Sequence, residues 1–251
     1  MLPDVPGRLP PVRILAIVHQ RDSGPGVFGE EIRAGGHGLD EWMIAEGAPA
    51  PADPLGYDAV LVLGASANVD EGDEHAWLAE ESALLRELLR RQVPLVGLCL
   101  GGQMVAGAAG AEPGRAARPE IGWHPVELMD EGAADPLLGP LAPAFEAFQW
   151  HSYEFPLPPG AVALARSEVC LQACRVGETA WAIQFHPEVS STDVLHWIDE
   201  YQVDPDAVRI GIEPAPLRAE TEAKIGAFNQ LGRDLCRRWL DVAGRVAMAR
   251  P

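Results

Sequence analysis

Cys99 sits in the stretch Gly97-Leu98-Cys99-Leu100-Gly101-Gly102-Gln103, between an apolar run at 93–98 and a small-residue run at 101–109. Small residues two before and two after a nucleophile allow the tight strand-to-helix turn called a nucleophile elbow. Such a turn lifts the thiol clear of a sheet's carboxyl edge. It also puts the thiol at a helix N-terminus, where partial positive charge favours the attacking thiolate. A nucleophilic cysteine needs a base, and the base needs an orienting group. Phe185-His186-Pro187-Glu188 closes a second apolar run at 180–185 and can supply both. Residues two apart in extended chain project to one side, so His186 and Glu188 can face a common site, and Pro187 holds His186 extended. The small loop Gly64-Ala65-Ser66-Ala67 follows a third apolar run at 58–63. The Ala65 N–H in that loop and the Leu100 N–H at the head of the next helix are the expected donors to an oxyanion. Each such donor is typically worth roughly 3–4 kcal/mol in a transition state. Taken singly, these elements read as a buried thiol, a strand-end histidine and a loop. Taken together they describe acyl transfer.

The elements that must position these residues alternate. Apolar, β-branched runs at 12–18, 39–44, 58–64, 93–98 and 180–185 have the length and composition of buried parallel strands. Between them, helical spacing is expected at 30–33, from Trp77 to Arg91 and across 101–109. Strand, helix, strand in this order predicts βαβ units and a sheet covered on both faces. Shorter patterns at 122–127 and 162–179 predict further strands, some of them antiparallel. Residues 193–201 are expected to be helical with Thr192 as N-cap, and residues 217–246 carry apolar residues at helical intervals. The first eleven residues hold four prolines and read as a loose leader.

Composition limits the partners. A formal charge of −18, from 19 basic and 37 acidic residues, repels phosphate backbones, and no basic run exceeds Arg90-Arg91 or Arg237-Arg238. Nucleic acid is therefore not an expected partner. No signal-peptide pattern and no apolar run of about 18 residues is present, so no membrane association is expected and the cytoplasm is the expected compartment. Four cysteines do not make a disulfide framework. Cys170 and Cys174 read as buried thiols because no second pair completes a zinc site. No metal or organic cofactor is expected.

The elbow, the His-Pro-Glu pair and the loop after the third run, in this order, resemble the class I glutamine amidotransferases, over roughly residues 12–198. Within that family the chain looks most like freestanding GMP-synthetase-like proteins, through Trp77-Leu78-Ala79-Glu80-Glu81, Pro119-Glu120-Ile121-Gly122-Trp123 and Gln149-Trp150-His151-Ser152. The resemblance implies a flavodoxin-like, mostly parallel α/β sheet, with Cys99 as nucleophile, His186 as base and acid, and Glu188 orienting His186. It implies a domain over 12–200, with 201–251 as a helical extension packed on it. It also places Gly64, Gln103, Trp150, His151 and Ser152 beside a bound glutamine or γ-glutamyl group. The family usually has Gly-Gly-Pro where this chain has Gly64-Ala65-Ser66. An alanine there is costly if the position needs φ > 0. No P-loop or dinucleotide fingerprint is visible, so ammonia would pass to a separate synthetase subunit, or the chain would hydrolyse γ-glutamyl amides or peptides by itself. A noncatalytic module of the same fold, and a cysteine hydrolase of the dienelactone hydrolase kind, are the remaining readings; the second fits the His-Pro-Glu pair less well.

Overall fold

A computed structural model describes residues 9–141 and 143–250, so most of the proline-rich leader lies outside the described residues. From the N-terminus run β1 (Arg13–Val18), α1 (Gly26–Ala34), β2 (Gly38–Met43), β3 (Ala59–Val62), α2 (Trp77–Arg90), β4 (Leu95–Leu98) and α3 (Leu100–Ala108). There follow β5 (Gly114–Leu128), α4 (Asp130–Ala133), β6 (Ala144–Glu154), β7 (Val162–Arg166), β8 (Leu171–Val176) and β9 (Ala180–Ile183). The chain ends with α5 (Ser191–Asp199), α6 (Pro205–Ile210) and α7 (Pro214–Ala249).

The nine strands form one sheet in the order β2-β1-β3-β4-β9-β8-β7-β5-β6. The first five of these are mutually parallel, and the pairs from β9 through β6 are antiparallel. The parallel half has the doubly wound order of flavodoxin-like sheets, whose ligands bind at the carboxyl ends of the strands. Strand alternation divides the core in two. Ile14, Ala16, Leu61 and Leu98 pack with Phe28 of α1 and Trp239 of α7. Leu15, Ile17, Val60 and Leu95 pack with Leu85 of α2 and Met104 of α3. Each parallel strand is therefore apolar on both faces, which is why it reads as a continuous run and not as an alternation.

Helix α7 also supports the loop that follows β9. Gly232 comes so close to this loop that an added Cβ would lie 2.0 Å from the Pro187 carbonyl oxygen. The Asn229 amide donates to the Val189 carbonyl at 2.7 Å. The backbone N–H of Val27, in α1, donates to the Glu188 carbonyl at 2.7 Å. The backbone of His186–Glu188 is thus held from two helices.

Several expectations are adjusted. The first helix spans Gly26–Ala34, longer than 30–33. The N-cap of α5 is Ser190 in place of Thr192: its hydroxyl accepts from Asp193 N–H, and the Asp193 carboxylate accepts from Ser190 N–H. This reciprocal pair satisfies two of the helix's free donors at once. The last helix begins at Pro214, because prolines are tolerated in the first turn, where no N–H is needed.

Gly232→Ala is expected to destabilise the fold by about 1–3 kcal/mol, as overpacking does, and to lower activity by displacing His186. Gly226→Ala in the same helix meets nothing within 4 Å and should be neutral or stabilising by up to about 1 kcal/mol. Urea denaturation of the two variants side by side checks both signs.

Candidate active site

Cys99 stands between β4 and α3 with φ 50° and ψ −113°, a strained backbone that a non-glycine residue adopts only when its surroundings enforce it. The surroundings here are glycines. A Cβ on Gly97 would lie 2.3 Å from the Gly101 carbonyl oxygen, one on Gly101 2.2 Å from that of Val62, and one on Gly102 2.5 Å from that of Ile183. Without side chains at these positions, α3 presses onto the carboxyl ends of β3, β4 and β9. The Cys99 N–H donates to the Ile183 carbonyl at 2.8 Å and fixes the turn to β9.

Just beyond β9, His186 is 3 % exposed and its Nδ1 lies 2.8 Å from Glu188 Oε1. The His186 N–H donates to the Phe148 carbonyl of β6, and the ring meets Trp197 edge-on, with centroids 5.0 Å apart. Its Nε2 is buried without a hydrogen-bond partner. Burial disfavours a charged imidazole, but the charges of Glu188 and Cys99 outweigh it and raise the His186 pKa well above its ordinary value. The structure thus brings Cys99, His186 and Glu188 together. The other cysteines differ: Cys170, Cys174 and Cys236 are buried free thiols whose pKa values burial pushes up.

Ala65, Leu100 and Gln103 line one cavity with Cys99 and His186. Gly64 touches both of the latter residues: a Cβ there would lie 3.1 Å from His186 Cε1 and 3.3 Å from Cys99 Cβ. Among the described residues, Gln92 and Cys99 are the non-glycines with positive φ. Ala65 therefore has an ordinary backbone, and its methyl group incurs no left-handed penalty. Leu100 opens α3, so helix geometry leaves its N–H free of an intrahelical partner. Gln103 is buried, and its amide nitrogen donates to the Tyr153 carbonyl and to Gln184 Oε1.

Trp150, His151 and Ser152 are consecutive on β6. Cys99 Sγ lies 3.9 Å from the Trp150 carbonyl oxygen, and Trp150 Nε1 donates to Asp204 Oδ2 at 2.9 Å. The His151 ring turns the other way. Its Nδ1 donates to the Tyr153 carbonyl, and its Nε2 sits 3.3 Å from Glu120 Oε2. Burial raises the Glu120 pKa, while His151 and Ser167 more than offset this and hold the carboxyl below its usual range. Glu120, His151 and Cys170 bring donor atoms within 4.8 Å of one another and are the residues that could hold a metal. Yet the shared carboxylate oxygen already accepts from Ser167 Oγ and Gln172 Nε2, at 2.9 and 2.8 Å. The Cys170 thiol, pushed up by burial and by Glu120, is far from the thiolate that a metal takes. The cluster reads as a hydrogen-bonded hub behind β6.

The cavity holds about 660 Å³. Its outer wall was not visible from sequence: Trp197 and Glu200 from the end of α5, Tyr201 and Val203 from the 3₁₀ turn after it, and Asp204 and Asp206 at the head of α6. Trp150 and Trp197 stand 6.2 Å apart, edge to face.

The class-I glutamine amidotransferase family matches residues 45–198. The chain belongs to that family. Its relatives include a γ-glutamyl-L-1-hydroxyisopropylamide hydrolase of Pseudomonas sp, 31% identical over 166 residues, 62% of this chain and 56% of the relative. They also include the glutamine-hydrolysing subunit of the GMP synthase of Sulfurisphaera tokodaii, 38% identical over 109 residues, 42% of this chain and 56% of the relative. The matches thus span little more than half of these two relatives. Among solved structures, a glutamine amidotransferase from Thermotoga maritima aligns with a TM-score of 0.82 and 29% identity, covering 91% of this chain and 97% of that one. A glutamine amidotransferase from Methylobacillus flagellatus aligns with a TM-score of 0.78 and 26% identity, covering 93% and 95%. Among the described residues of this amidotransferase-family chain, no helix is long and apolar enough to cross a membrane.

Because Glu188 raises the His186 pKa, Glu188→Gln should lower it, so that the imidazolium is lost at lower pH. The alkaline limb of the pH–activity profile is expected to move toward acid and kcat to fall. An alkaline limb that stays in place would show that Glu188 does not govern this proton.

Proposed function

We propose that the chain hydrolyses the side-chain amide of glutamine or of a γ-glutamyl compound through a γ-glutamyl thioester on Cys99. The observation that carries this reading is the buried His186, bonded to Glu188 at one nitrogen while the other, unpartnered, faces the cavity beside Cys99. The Cys99 thiolate attacks the amide carbon, and the carbonyl oxygen takes the negative charge, held by the Ala65 and Leu100 N–H groups. The His186 imidazolium gives its proton to the amide nitrogen as the C–N bond breaks, releasing ammonia or an amine. Neutral His186 then takes a proton from water, whose oxygen attacks the thioester carbon. The C–S bond breaks, glutamate leaves, and thiolate and imidazolium are restored. Every group required comes from the chain. In this reading, residues 12–200 are the amidotransferase domain and 201–251 an extension packed on it, and Gly64, Gln103, Trp150, His151 and Ser152 border the γ-glutamyl group.

The fate of the nitrogen separates two forms of this function. As one half of a two-protein amidotransferase, the chain would pass ammonia to a separate synthetase, and its likeness to the glutamine-hydrolysing half of GMP synthase supports that form. As a freestanding hydrolase it would release an amine, supported by its likeness to the γ-glutamyl-hydroxyisopropylamide hydrolase. A cavity of about 660 Å³ lies well within the range of drug-sized ligands. One amino acid leaves much of it empty, and this favours a substituted amide.

Glutamate release from L-glutamine and from a series of γ-glutamyl alkylamides tests the proposal. The expected result is Cys99-dependent turnover, with kcat/KM higher for the substituted amides, and loss of at least about 10⁴-fold in Cys99→Ala, the scale seen when a nucleophile is removed. Turnover retained by Cys99→Ala would refute the mechanism, and a preference for free glutamine would favour the glutaminase form.

A further inference from the structure

The stretch Gly64-Ala65-Ser66 lies between two clamps. At its root, the Leu63 N–H donates to the Ile17 carbonyl of β1 at 3.1 Å. At its tip, both the Ser66 N–H and the Ser66 hydroxyl donate to Gln20 Oε1, at 2.8 and 3.0 Å. A backbone N–H can only donate, so the Gln20 amide must present its oxygen here. Between the clamps stand Gly64, against Cys99 and His186, and Ala65 at the cavity wall.

The root of the Gln20 side chain is itself fixed. The preceding residue, His19, is buried, and its Nε2 bonds Glu81 Oε2 of α2 at 2.8 Å, with both side chains fully shielded from solvent. Its ring lies 4.7 Å from that of Trp77, at the first turn of α2. After Gln20, its own carbonyl accepts from Ser23 N–H at 3.2 Å, closing a turn. Helix α2 thus fixes His19, and the next residue reaches across to fix the loop after β3.

We infer that Gln20 is a positioning residue that holds the Gly64–Ala65 peptide in place for the reaction by accepting from Ser66. The inference rests on the proposed role of the Ala65 N–H as an oxyanion donor. Only the far clamp distinguishes a held loop from a loose one, since Ser66 and its neighbours are exposed or half-buried and little packing restrains them. A donor displaced by a fraction of an ångström loses much of its effect on the transition state and little on ground-state binding. The loss should therefore appear in kcat and not in KM.

Three measurements on the full chain test this, with L-glutamine as the probe. Gln20→Met keeps the length of the side chain and removes the acceptor. It is expected to lower kcat by roughly tenfold or more with KM within about twofold. Ser66→Ala keeps the N–H bond and should stay within about threefold of the parent kcat. Amide exchange of the 63–68 segment should quicken in Gln20→Met and remain unchanged in Ser66→Ala. A Gln20→Met variant with parental kcat, or with its loss confined to KM, or with unchanged exchange at 63–68, would overturn the inference. So would a Ser66→Ala variant as impaired as Gln20→Met. If the parent chain does not hydrolyse L-glutamine, the proposed donor is refuted independently, and amide exchange alone decides whether Gln20 holds the loop.

Discussion

Cys99 keeps φ at 50° because α3 sits almost on the backbone of the sheet, with the glycines at 97, 101 and 102 leaving no room for a Cβ. That close approach is the constraint from which the site follows. It brings the head of α3 up to the carboxyl ends of β3 and β9, so the loop after β3 and the loop after β9 have to meet at the same thiol. A side chain at any of the three glycines would push against a carbonyl oxygen 2.2–2.5 Å away. Nothing nearby could yield without moving a strand.

Around this fixed centre, the remaining groups are held by polar contacts more than by packing. The antiparallel half of the sheet returns β6 over the carboxyl edge, where Phe148 receives the His186 N–H and Trp150 lies beside Cys99. Keeping His151, Glu120, Gln149 and Gln172 inside that half is costly unless they satisfy one another. They do so through the Glu120 hub and the Gln149–Gln172 bond of 2.7 Å. The outer wall comes from a short helix whose N-cap, Asp204, also accepts from Trp150 Nε1, so a single carboxylate orders both the cap and the cavity lining.

The parallel strands, the elbow and the His-Pro-Glu pair were legible in the sequence because each is local. A run buried on both faces stays apolar, a close approach needs glycine within two residues of the thiol, and a base two residues from its orienter lies on the same side. Strand β6 was not legible as a strand, since its buried positions include Gln149 and His151, whose partners lie on β5 and β8. The cavity wall was also hidden. Asp204 and Asp206 look like ordinary surface acids until the fold sets them beside Trp150 and Arg115. The substitution of Ala65 for a glycine looked costly, and the backbone answers it: Ala65 is outside the left-handed region. The clamp on its neighbour comes from Gln20, 46 residues earlier, beyond the reach of any local pattern.

The central claim is that one thiol of four carries the acyl group. Mass spectrometry of the intact chain and its peptides, after treatment with a glutamine analogue bearing an electrophilic carbon in place of the amide, measures this directly. The account predicts one equivalent of label, all of it on Cys99, with Cys170, Cys174 and Cys236 unmodified behind their burial. Label on any of those three, or steady amide hydrolysis by a chain whose Cys99 stays free, would contradict it.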